Sequence, residues 1–476
     1  MEIQHFSPSQ LPGLKNALEQ RRLVYGIGRE YNSLLTPSIT LLNHEECEQI
    51  TEDLPALWQL YAIWNELYLD SIKGKLPEWF RAYCEYGLSK TEITVMQEAA
   101  RAKLTPRFGR VDYVSLGKKR QIAEIQWKSG GLGLFFGIQD TYYQQLAIEQ
   151  SSLGNLIPNF FQLVSQSASI ISPVMVNGVR TPWYKSEHDL KRRALECGVE
   201  YYPFFRDELP RRIISRQKRF WIIDGGRLIP INFMYGQEFG DMLKSSLPLL
   251  LSSVLDGNLW IESPLNPVYR QKWGLSLPFH PIYRQLFPEK LREIIIPTVL
   301  LYPTDLDLSP IIPYLSLSNR EQLANVRTIT QIADLPTSLR RALVLKCGAG
   351  TGNYYSHGKG VFRINGSHNS ARQTLDFIQD QVQTVGEPWV LQIYVDETNP
   401  VPVNLPNEPE KIAIIKAHAR QMIFAVCPDG QAPHIIGGLG NYGAHWKIGG
   451  SAPGRDAQGH ILGTAFNGIY VKWEES

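Results

Sequence analysis

The segment 109–133 constrains the fold of this chain more strongly than any other segment. It contains two short runs of alternating apolar and polar residues, one on each side of a Gly-Lys-Lys sequence. Alternating runs around a glycine-containing turn are typical of a β-hairpin. A three-residue turn would pair Arg110 with Gln126 and Asp112 with Glu124.

These four polar side chains are expected on one face of the hairpin, because successive side chains of a strand point to opposite faces. Two carboxylates beside an amide oxygen form a set of hard oxygen ligands that suits Mg²⁺, and an arginine beside them can hold an anion. The alternative is a solvent-facing hairpin with a surface salt bridge. The hairpin alone leaves both interpretations open.

Length and composition limit the class of protein. A chain of 476 residues suggests two to four domains, and 43% hydrophobic residues provide an ample core. The net charge of +2 gives no support for nucleic-acid binding. The five cysteines show no Cys-x-x-Cys pair, so zinc and a disulfide framework are not expected. The first residues lack signal-peptide features, and no apolar run reaches the length of a membrane span, so we expect a cytoplasmic protein without a membrane partner.

Four regions can be distinguished along the chain. Residues 1–104 are predicted to be mostly helical, and 105–165 hold the hairpin. Residues 166–330 are predicted to form an open α/β domain, and 331–476 a glycine-rich C-terminal region. The elements that we predict within these regions are a helix at 90–104 after Ser89, a helix at 140–150, a βαβ unit over 169–205, a hairpin turning at Asp224-Gly225-Gly226, and strands at 342–346, 361–364 and 389–395.

A lysine at the end of a strand, followed by closely spaced glycines and a second lysine, favours phosphate binding. Glycines let backbone N–H groups approach phosphate oxygens, and the lysines supply positive charge. The sequence is neither a Walker A loop nor a dinucleotide fingerprint. A surface hairpin loop is the alternative. The residues of this phosphate-binding prediction are Lys346, Gly348, Gly350, Gly352 and Lys359.

The strand at 389–395 is apolar except for Gln392. Such a strand can offer backbone groups to a purine edge while its side chains wall a pocket, although it is more often simply core. The purine-binding prediction covers Gln392, Ile393, Tyr394 and Val395. Arg420 lies within another apolar run, where a buried arginine needs a carboxylate or a ligand phosphate as partner.

Together these segments resemble the ATP-grasp superfamily, and in particular its circularly permuted branch, which includes glutathionylspermidine synthase. That branch carries Arg-x-Asp, eleven residues, then Glu-x-Asn. Here Arg110-x-Asp112 is followed after eleven residues by Glu124-x-Gln126, with Gln126 in place of Asn. The resemblance covers about residues 105 to 450. It implies an α/β (α+β) ATP-grasp-like fold with permuted segment order, preceded by an N-terminal helical region.

The resemblance also implies roles for residues. Asp112, Glu124 and Gln126 correspond to Mg²⁺ ligands, Arg110 and Arg420 to catalytic arginines, and Lys346 to the ATP lysine. The implied activity is an ATP-dependent ligase that joins a small-molecule carboxylate to an amine, such as an amino acid, peptide or polyamine, through an acyl phosphate.

Two alternatives stay open. One is a kinase, or a ligase with a thiol or hydroxyl acceptor, on the same fold. The other is a nucleotide-binding protein whose site has lost activity, for which Gln126 is the main motive. For the ligase, we expect alanine at position 112 or 124 to abolish ATP turnover and to leave the fold intact.

Overall fold

The computed structural model describes most of the chain. The described residues are 2–5, 8–21, 23, 36–116, 119–127, 132–145, 154–168, 172–179, 184–205, 207–235, 246–262, 265–302, 306–315, 317–350, 360–364, 366–405, 408–428, 431–443, 454–455, 461–462 and 464–471. None of the helices in these ranges combines the length and the apolar character needed to span a bilayer.

The α-helices are distributed along the chain. They are α1 Leu11–Gln20, α2 His44–Ile72, α3 Glu78–Glu85, α4 Lys90–Arg101, α5 Leu132–Gln145, α6 Leu156–Ala168, α7 Tyr184–Glu196, α8 Leu209–Arg212, α9 Leu247–Leu255, α10 Glu289–Ile294, α11 Leu317–Ala324, α12 Thr337–Arg341 and α13 His368–Asp380.

The strands alternate with the helices and predominate in the last third. They are β1 Glu2–His5, β2 Ser38–Leu42, β3 Phe108–Leu116, β4 Lys119–Gln126, β5 Val174–Val179, β6 Glu200–Phe205, β7 Ile213–Arg216, β8 Arg219–Asp224, β9 Arg227–Pro230, β10 Phe233–Tyr235, β11 Trp260–Ile261, β12 Thr298–Leu300, β13 Leu343–Cys347, β14 Val361–Arg363, β15 Trp389–Ile393, β16 Thr398–Leu405, β17 Glu408–Val426, β18 His434–Gly443, β19 Gly454–Arg455, β20 Ile461–Leu462 and β21 Thr464–Val471.

A large mixed sheet carries the β3–β4 hairpin at its edge. Its strand order is β1-β2-β21-β18-β17-β3-β4, and β16 pairs with the first half of the long strand β17. The neighbours are antiparallel except for β2 and β21. Residues from both ends of the chain therefore share one sheet with the hairpin. The mixture of helix and sheet agrees with the predicted α/β (α+β) class, and the division into four regions stays a prediction.

A second sheet, β11-β10-β5-β6, is entirely parallel. Helix α7 connects β5 to β6 and ends before Gly198, which has a φ of +76°. This confirms the predicted βαβ unit, although the described part of its first strand begins at Val174. The predicted turn at Gly225 and Gly226 is also confirmed, since both residues have positive φ between β8 and β9.

A smaller antiparallel sheet, β12-β15-β13-β14, lies against the hairpin. Val114, Leu116 and Ala123 of the hairpin pack against its core. The two sheets meet closely enough for the Nζ atom of Lys346 in β13 to lie 3.4 Å from the carbonyl oxygen of Ala123. This contact brings a residue of the C-terminal region to the polar face of the hairpin.

The N-terminal region follows the prediction in part. Helix α4 begins after Ser89, whose side chain accepts from the N–H of Glu92 while the Glu92 carboxylate accepts from the N–H of Ser89, a capping box. Long α2 covers the other face of the hairpin. The region is not purely helical, however, because β1 and β2 join the large sheet.

The predicted start of a helix at residue 140 is wrong, because α5 begins at Leu132. The glycines before residue 140 suggested a loop, yet Gly133 and Gly137 lie inside the helix. A Cβ on Gly133 would lie 2.7 Å from the carbonyl oxygen of Ser186, and one on Gly137 would lie 2.6 Å from Leu23. These glycines permit close packing instead of ending the helix.

Candidate functional site

The hairpin has the predicted pairing. Arg110 lies opposite Gln126, and Asp112 lies opposite Glu124. The cause of this pairing differs from the predicted three-residue turn. Only two residues separate the paired ends Leu116 and Lys119, and a bulge next to Asp112 shifts the register by one residue. The shorter loop and the bulge together produce the pairing that a three-residue turn would have produced.

Asp112 is fully buried and lies between two arginines. The Nε and Nη2 atoms of Arg110 donate to its two carboxylate oxygens at 2.7 and 2.9 Å. The Nη1 atom of Arg420 lies 2.9 Å from Asp112 Oδ2. The carboxylate partner that a buried Arg420 requires is therefore Asp112. This geometry corrects the expectation that alanine at position 112 leaves the fold intact, because two desolvated guanidinium groups would lose their anion.

Glu124 accepts from different partners. The Nζ atom of Lys272 lies 2.7 Å from Glu124 Oε1, and Gln126 Nε2 donates to the same oxygen at 3.1 Å. Burial acts to raise the pKa of Glu124, but the positive charges of Lys272, Lys346 and Arg420 outweigh it and hold the pKa below its ordinary value. Glu124 is therefore a carboxylate at neutral pH.

Lys346 enters the cluster from β13. Burial lowers the pKa of its ammonium group to about 8; the charges of Lys272 and Arg420 act in the same direction, and that of Glu124 opposes them. A lysine held in this way interacts more strongly with an anion than an exposed lysine, because fewer water molecules compete for its charge.

The cluster carries more positive than negative charge. Its four cationic side chains exceed the two carboxylates, which leaves a formal charge of +2 when Lys346 is protonated. A partly buried surplus of this size favours a polyanionic ligand. We call this set the polar cluster, and its members are Arg110, Asp112, Glu124, Lys272, Lys346 and Arg420.

The predicted phosphate-binding glycines have a different use in this conformation. The N–H of Gly348 donates to the carbonyl oxygen of Pro388 at 2.8 Å, and that of Gly350 donates to Gln271 Oε1 at 2.9 Å. A Cβ on Gly350 would lie 2.0 Å from the carbonyl oxygen of Arg270. Both N–H groups are therefore occupied, and the glycines allow close approach of the 270–273 segment. Gly352 and Lys359 lie outside the described residues.

The predicted purine-binding strand is β15, and it lies inside its sheet. Gln392 lies opposite Thr298 on one side and opposite Val344 on the other. Its side chain also donates to Thr298 Oγ1 at 2.8 Å. Ile393 lies opposite Leu343. Gln392 thus lies between two neighbouring strands, and its part in purine binding stays a prediction, as does that of Ile393.

The predicted strand continues for two residues beyond the end of β15. The N–H of Tyr394 donates to Ala342 at 2.8 Å, while its ring lies 4.0 Å from the guanidinium carbon of Arg363. Val395 packs against the core beneath the small sheet. Tyr394 and Val395 therefore form the segment of the predicted strand that leaves the sheet, and their part in purine binding stays a prediction.

Lys272 belongs to the cluster but was missing from the sequence prediction. It lies beside Trp273, in a run that is otherwise buried. The argument applied to Arg420, that a cation among buried residues needs an anion, would have identified it. Its backbone N–H also donates to the carbonyl oxygen of Gly348 at 2.7 Å, which fixes the segment beside β13.

The ligands available for a metal ion are oxygens. Asp112 and Glu124 project from paired positions, where Cβ atoms lie about 5 Å apart. Since Nε2 of Gln126 donates to Glu124, its Oε1 atom is the amide oxygen available to a cation. No larger group of His, Cys, Asp or Glu residues with metal-ligand geometry occurs in the part of the chain that the structure describes. Two carboxylates and one amide oxygen fit Mg²⁺, which usually completes its coordination with water and phosphate oxygens.

Comparison with known proteins gives little guidance. No protein-family model matches this sequence, and none of the curated proteins compared with it matches. The chain is similar to the crystal structure of a protein described as a putative gamma-glutamylcysteine synthetase from Methylobacillus flagellatus KT, with a TM-score of 0.36 and 12% sequence identity over 86% of this chain and 88% of that chain. A likeness of this size determines neither the fold family nor the activity of the chain.

Proposed function

We propose that this chain is an Mg²⁺- and ATP-dependent ligase that joins a carboxylate to an amine. The observation that supports this most strongly is the pairing of Asp112 with Glu124 within a partly buried cluster that has a surplus of positive charge. Paired carboxylates provide the metal ligands, and the surplus cations provide the charge that a nucleotide triphosphate needs. A surface salt bridge would have neither the burial nor the two additional lysines.

Each member of the cluster has a role in this proposal. Asp112 and Glu124 hold Mg²⁺, with the amide oxygen of Gln126 as a third ligand. Lys346 and Lys272 bind phosphate oxygens. Bound Mg-ATP would supply the phosphoryl group that activates the carboxylate as an acyl phosphate, from which the amine displaces phosphate.

The chain's own contribution is electrostatic. Arg110 and Arg420 are held by Asp112 at 2.7 to 2.9 Å and cannot rotate away from the cluster without losing a buried ion pair. Their remaining N–H groups are therefore positioned before substrate binds. Fixed donors of this kind stabilise the negative charge that develops on a transferring phosphoryl group.

The test is acceptor-dependent release of ADP. Purified protein is incubated with Mg-ATP and a panel of amino acids, polyamines and small peptides, first singly and then in pairs. A ligase releases ADP and phosphate only when both a carboxylate and an amine are present. Release with a hydroxyl or thiol compound, accompanied by a phosphorylated or ester product, would replace the proposal with the kinase or alternative-acceptor activity.

Glu124→Gln tests the assignment within the same assay. Gln preserves the size of the side chain and removes the charge that holds the metal, so we expect ADP release to fall by at least about a hundredfold. Glu66→Gln is the matched control, since Glu66 pairs with Lys103 at 2.8 Å on an exposed part of α2. Equal activity of the Glu124 variant and this control would contradict the proposal.

A binding protein without turnover is the second candidate. Full occupation of both Asp112 oxygens by arginines favours it, because a metal must share or displace those contacts. Saturable Mg-ATP binding without ADP release across the whole panel would support it over the ligase.

A further inference from the structure

Asn441 is a buried asparagine whose carboxamide makes no hydrogen bond in the structure. Its side chain is 1% exposed, and neither its Oδ1 nor its Nδ2 atom has a partner among the described residues. Buried polar groups are nearly always paired, because an unpaired one destabilises the folded state. A ligand that pairs with the carboxamide would account for an asparagine at this position.

The position of Asn441 relates it to the polar cluster. Asn441 of β18 lies directly opposite Arg420 of β17, so the two side chains share one face of the large sheet. Arg420 uses its Nη1 atom to bind Asp112, and its buried Nε atom has no partner among the described residues. Asn441 therefore lies on the side of Arg420 that faces away from the hairpin, beside an arginine that also has an unpaired donor.

The same face extends to His418, two residues before Arg420 on β17. His418 is 9% exposed and lies on the same side of β17 as Arg420. Its Nε2 atom lies 3.4 Å from the hydroxyl oxygen of Tyr394, at the end of β15. Asn441 and Arg420 thus carry the unpaired polar atoms of a strip that His418 extends toward the small sheet.

The strip is too far from Glu124 to bind the same phosphate oxygen. The strand order β18-β17-β3-β4 places three strand spacings, or about 14 Å, between the strands of Asn441 and Glu124. Only two spacings, about 10 Å, separate Asn441 from the strand of Asp112, and Arg420 lies between them. A group bound at the strip therefore adjoins the proposed phosphate site without coinciding with it.

We propose that Asn441, together with the Nε atom of Arg420, binds the carboxyl group of the substrate. This inference rests on the proposed function and adds the residue that holds one of its reactants. Asn441 Nδ2 and Arg420 Nε donate to the carboxylate oxygens, and Asn441 Oδ1 accepts from an N–H group of the amine. A carboxamide suits both tasks because it carries a donor and an acceptor on one planar group.

Thermal stability without ligand separates this role from a structural one. Asn441→Leu breaks no hydrogen bond and removes an unpaired carboxamide, so we expect the Tm to stay the same or rise. Asn65→Leu is the matched control, because Asn65 is also buried but donates to the carbonyl oxygen of Ala100 and accepts from Asn266. This variant loses both hydrogen bonds, so we expect its Tm to fall below that of wild type. A fall in Tm for Asn441→Leu equal to that of Asn65→Leu would overturn the inference.

Carboxylate binding is the second readout. The Tm of wild-type protein with Mg-ADP is measured against the standard L-amino acids, succinate and glutarate. We expect at least one carboxylate to raise the wild-type Tm, and Asn441→Leu to lose most of that rise while its affinity for Mg-ATP changes less than about twofold. The absence of any carboxylate-induced rise in wild type, or an equal rise in both proteins, would overturn the inference.

The two proposals fail in different ways. If a carboxylate stabilises wild type through Asn441 but no ADP is released with any pair of substrates, the ligase activity is wrong and the carboxylate site stands. If ADP release depends on a carboxylate and Asn441→Leu retains it at the wild-type rate and KM, the ligase stands and the assignment of Asn441 is wrong.

Discussion

The two faces of the β3–β4 hairpin differ in chemistry, since one is charged and the other is apolar. One face carries Arg110, Asp112 and Glu124, which contact other charged groups. The other carries Val111 and Ile125, which pack in the core that includes α2. Alternation along the strands separates the two sets at every position.

The faces differ in what holds them in place. Val111 and Ile125 are stabilised by removal of apolar surface from water, which tolerates small changes of shape. Asp112 and its arginines are stabilised only as a set, because each charge is buried with its partner and is costly without it. Substitutions should therefore reduce stability on both faces but reduce activity on one face alone.

The largest effect is expected for Asp112→Ala. It leaves two buried guanidinium groups without their anion, which should lower the free energy of unfolding by about 3–5 kcal/mol and abolish ATP turnover. Urea unfolding and the ADP-release assay measure the two effects. Asp70→Ala is the matched control, since Asp70 also pairs with two cations, Lys73 and Lys75, but on the exposed end of α2.

Equal stability losses for the two aspartates would contradict the account of the polar face. It would mean that the arginines find other partners or water once Asp112 is removed. Loss of stability without loss of turnover per folded molecule would mean that Asp112 has a structural role and does not bind the metal.

Ile125→Ala tests the apolar face. The side chain is 5% exposed in the core of the hairpin, so its truncation should cost about 2–5 kcal/mol through lost burial and a cavity. Turnover per folded molecule should stay near the wild-type value. Ile414→Ala, at a position 75% exposed on β17, is the control and should unfold like wild type. Abolished turnover in well-folded Ile125→Ala would mean that the faces are not separate in function.

The lowered pKa of Lys346 makes the function of the polar face depend on pH, whereas Val111 and Ile125 on the apolar face do not titrate. Burial lowers this pKa to about 8, so the folded protein loses a proton between pH 8 and the ordinary lysine value while the unfolded chain keeps it. Over that window this group alone makes stability rise with pH, and phosphate binding falls as its charge is lost. We expect Mg-ATP to bind about tenfold more weakly at about pH 9 than at about pH 7.

Lys346→Arg is the variant that separates this cause from others, because an arginine stays protonated over the whole range. Its affinity for Mg-ATP should be independent of pH above 7. An identical fall in affinity for wild type and this variant would show that another group titrates.

The smallest effect is expected for Gln126→Asn. Asparagine is one methylene shorter, so its amide would sit farther from the Glu124 oxygen that Gln126 contacts at 3.1 Å. Because asparagine offers the same kind of amide oxygen to the metal, Mg²⁺ dependence and kcat should change by less than about threefold. A large gain in turnover would instead indicate that glutamine impairs the site. The readout is a Mg²⁺ titration of ADP release.

The sequence predicted the hairpin because that information is local: alternation of side chains and a glycine-containing turn. The predicted pairing agrees with the structure because the bulge next to Asp112 compensates for the shorter loop. The strand ending at Lys346 was also predictable from its local sequence. Lys272 and the packing of Gly133, Gly137 and Gly350 were not, because each depends on a contact between segments distant in the chain. Gly133 and Gly137 lie in a helix that packs closely against other elements, and the part of Gly350 in phosphate binding stays a prediction.

Calorimetric titration of Mg-ATP into wild type and Glu124→Gln tests the central claim most directly, namely that the polar face of the hairpin binds a metal-nucleotide complex. We predict saturable binding to wild type and to the Glu66→Gln control, and binding at least tenfold weaker to Glu124→Gln, with the difference removed when Mg²⁺ is chelated. No binding to wild type, or equal affinity of the Glu124 variant in the presence of Mg²⁺, would contradict the claim.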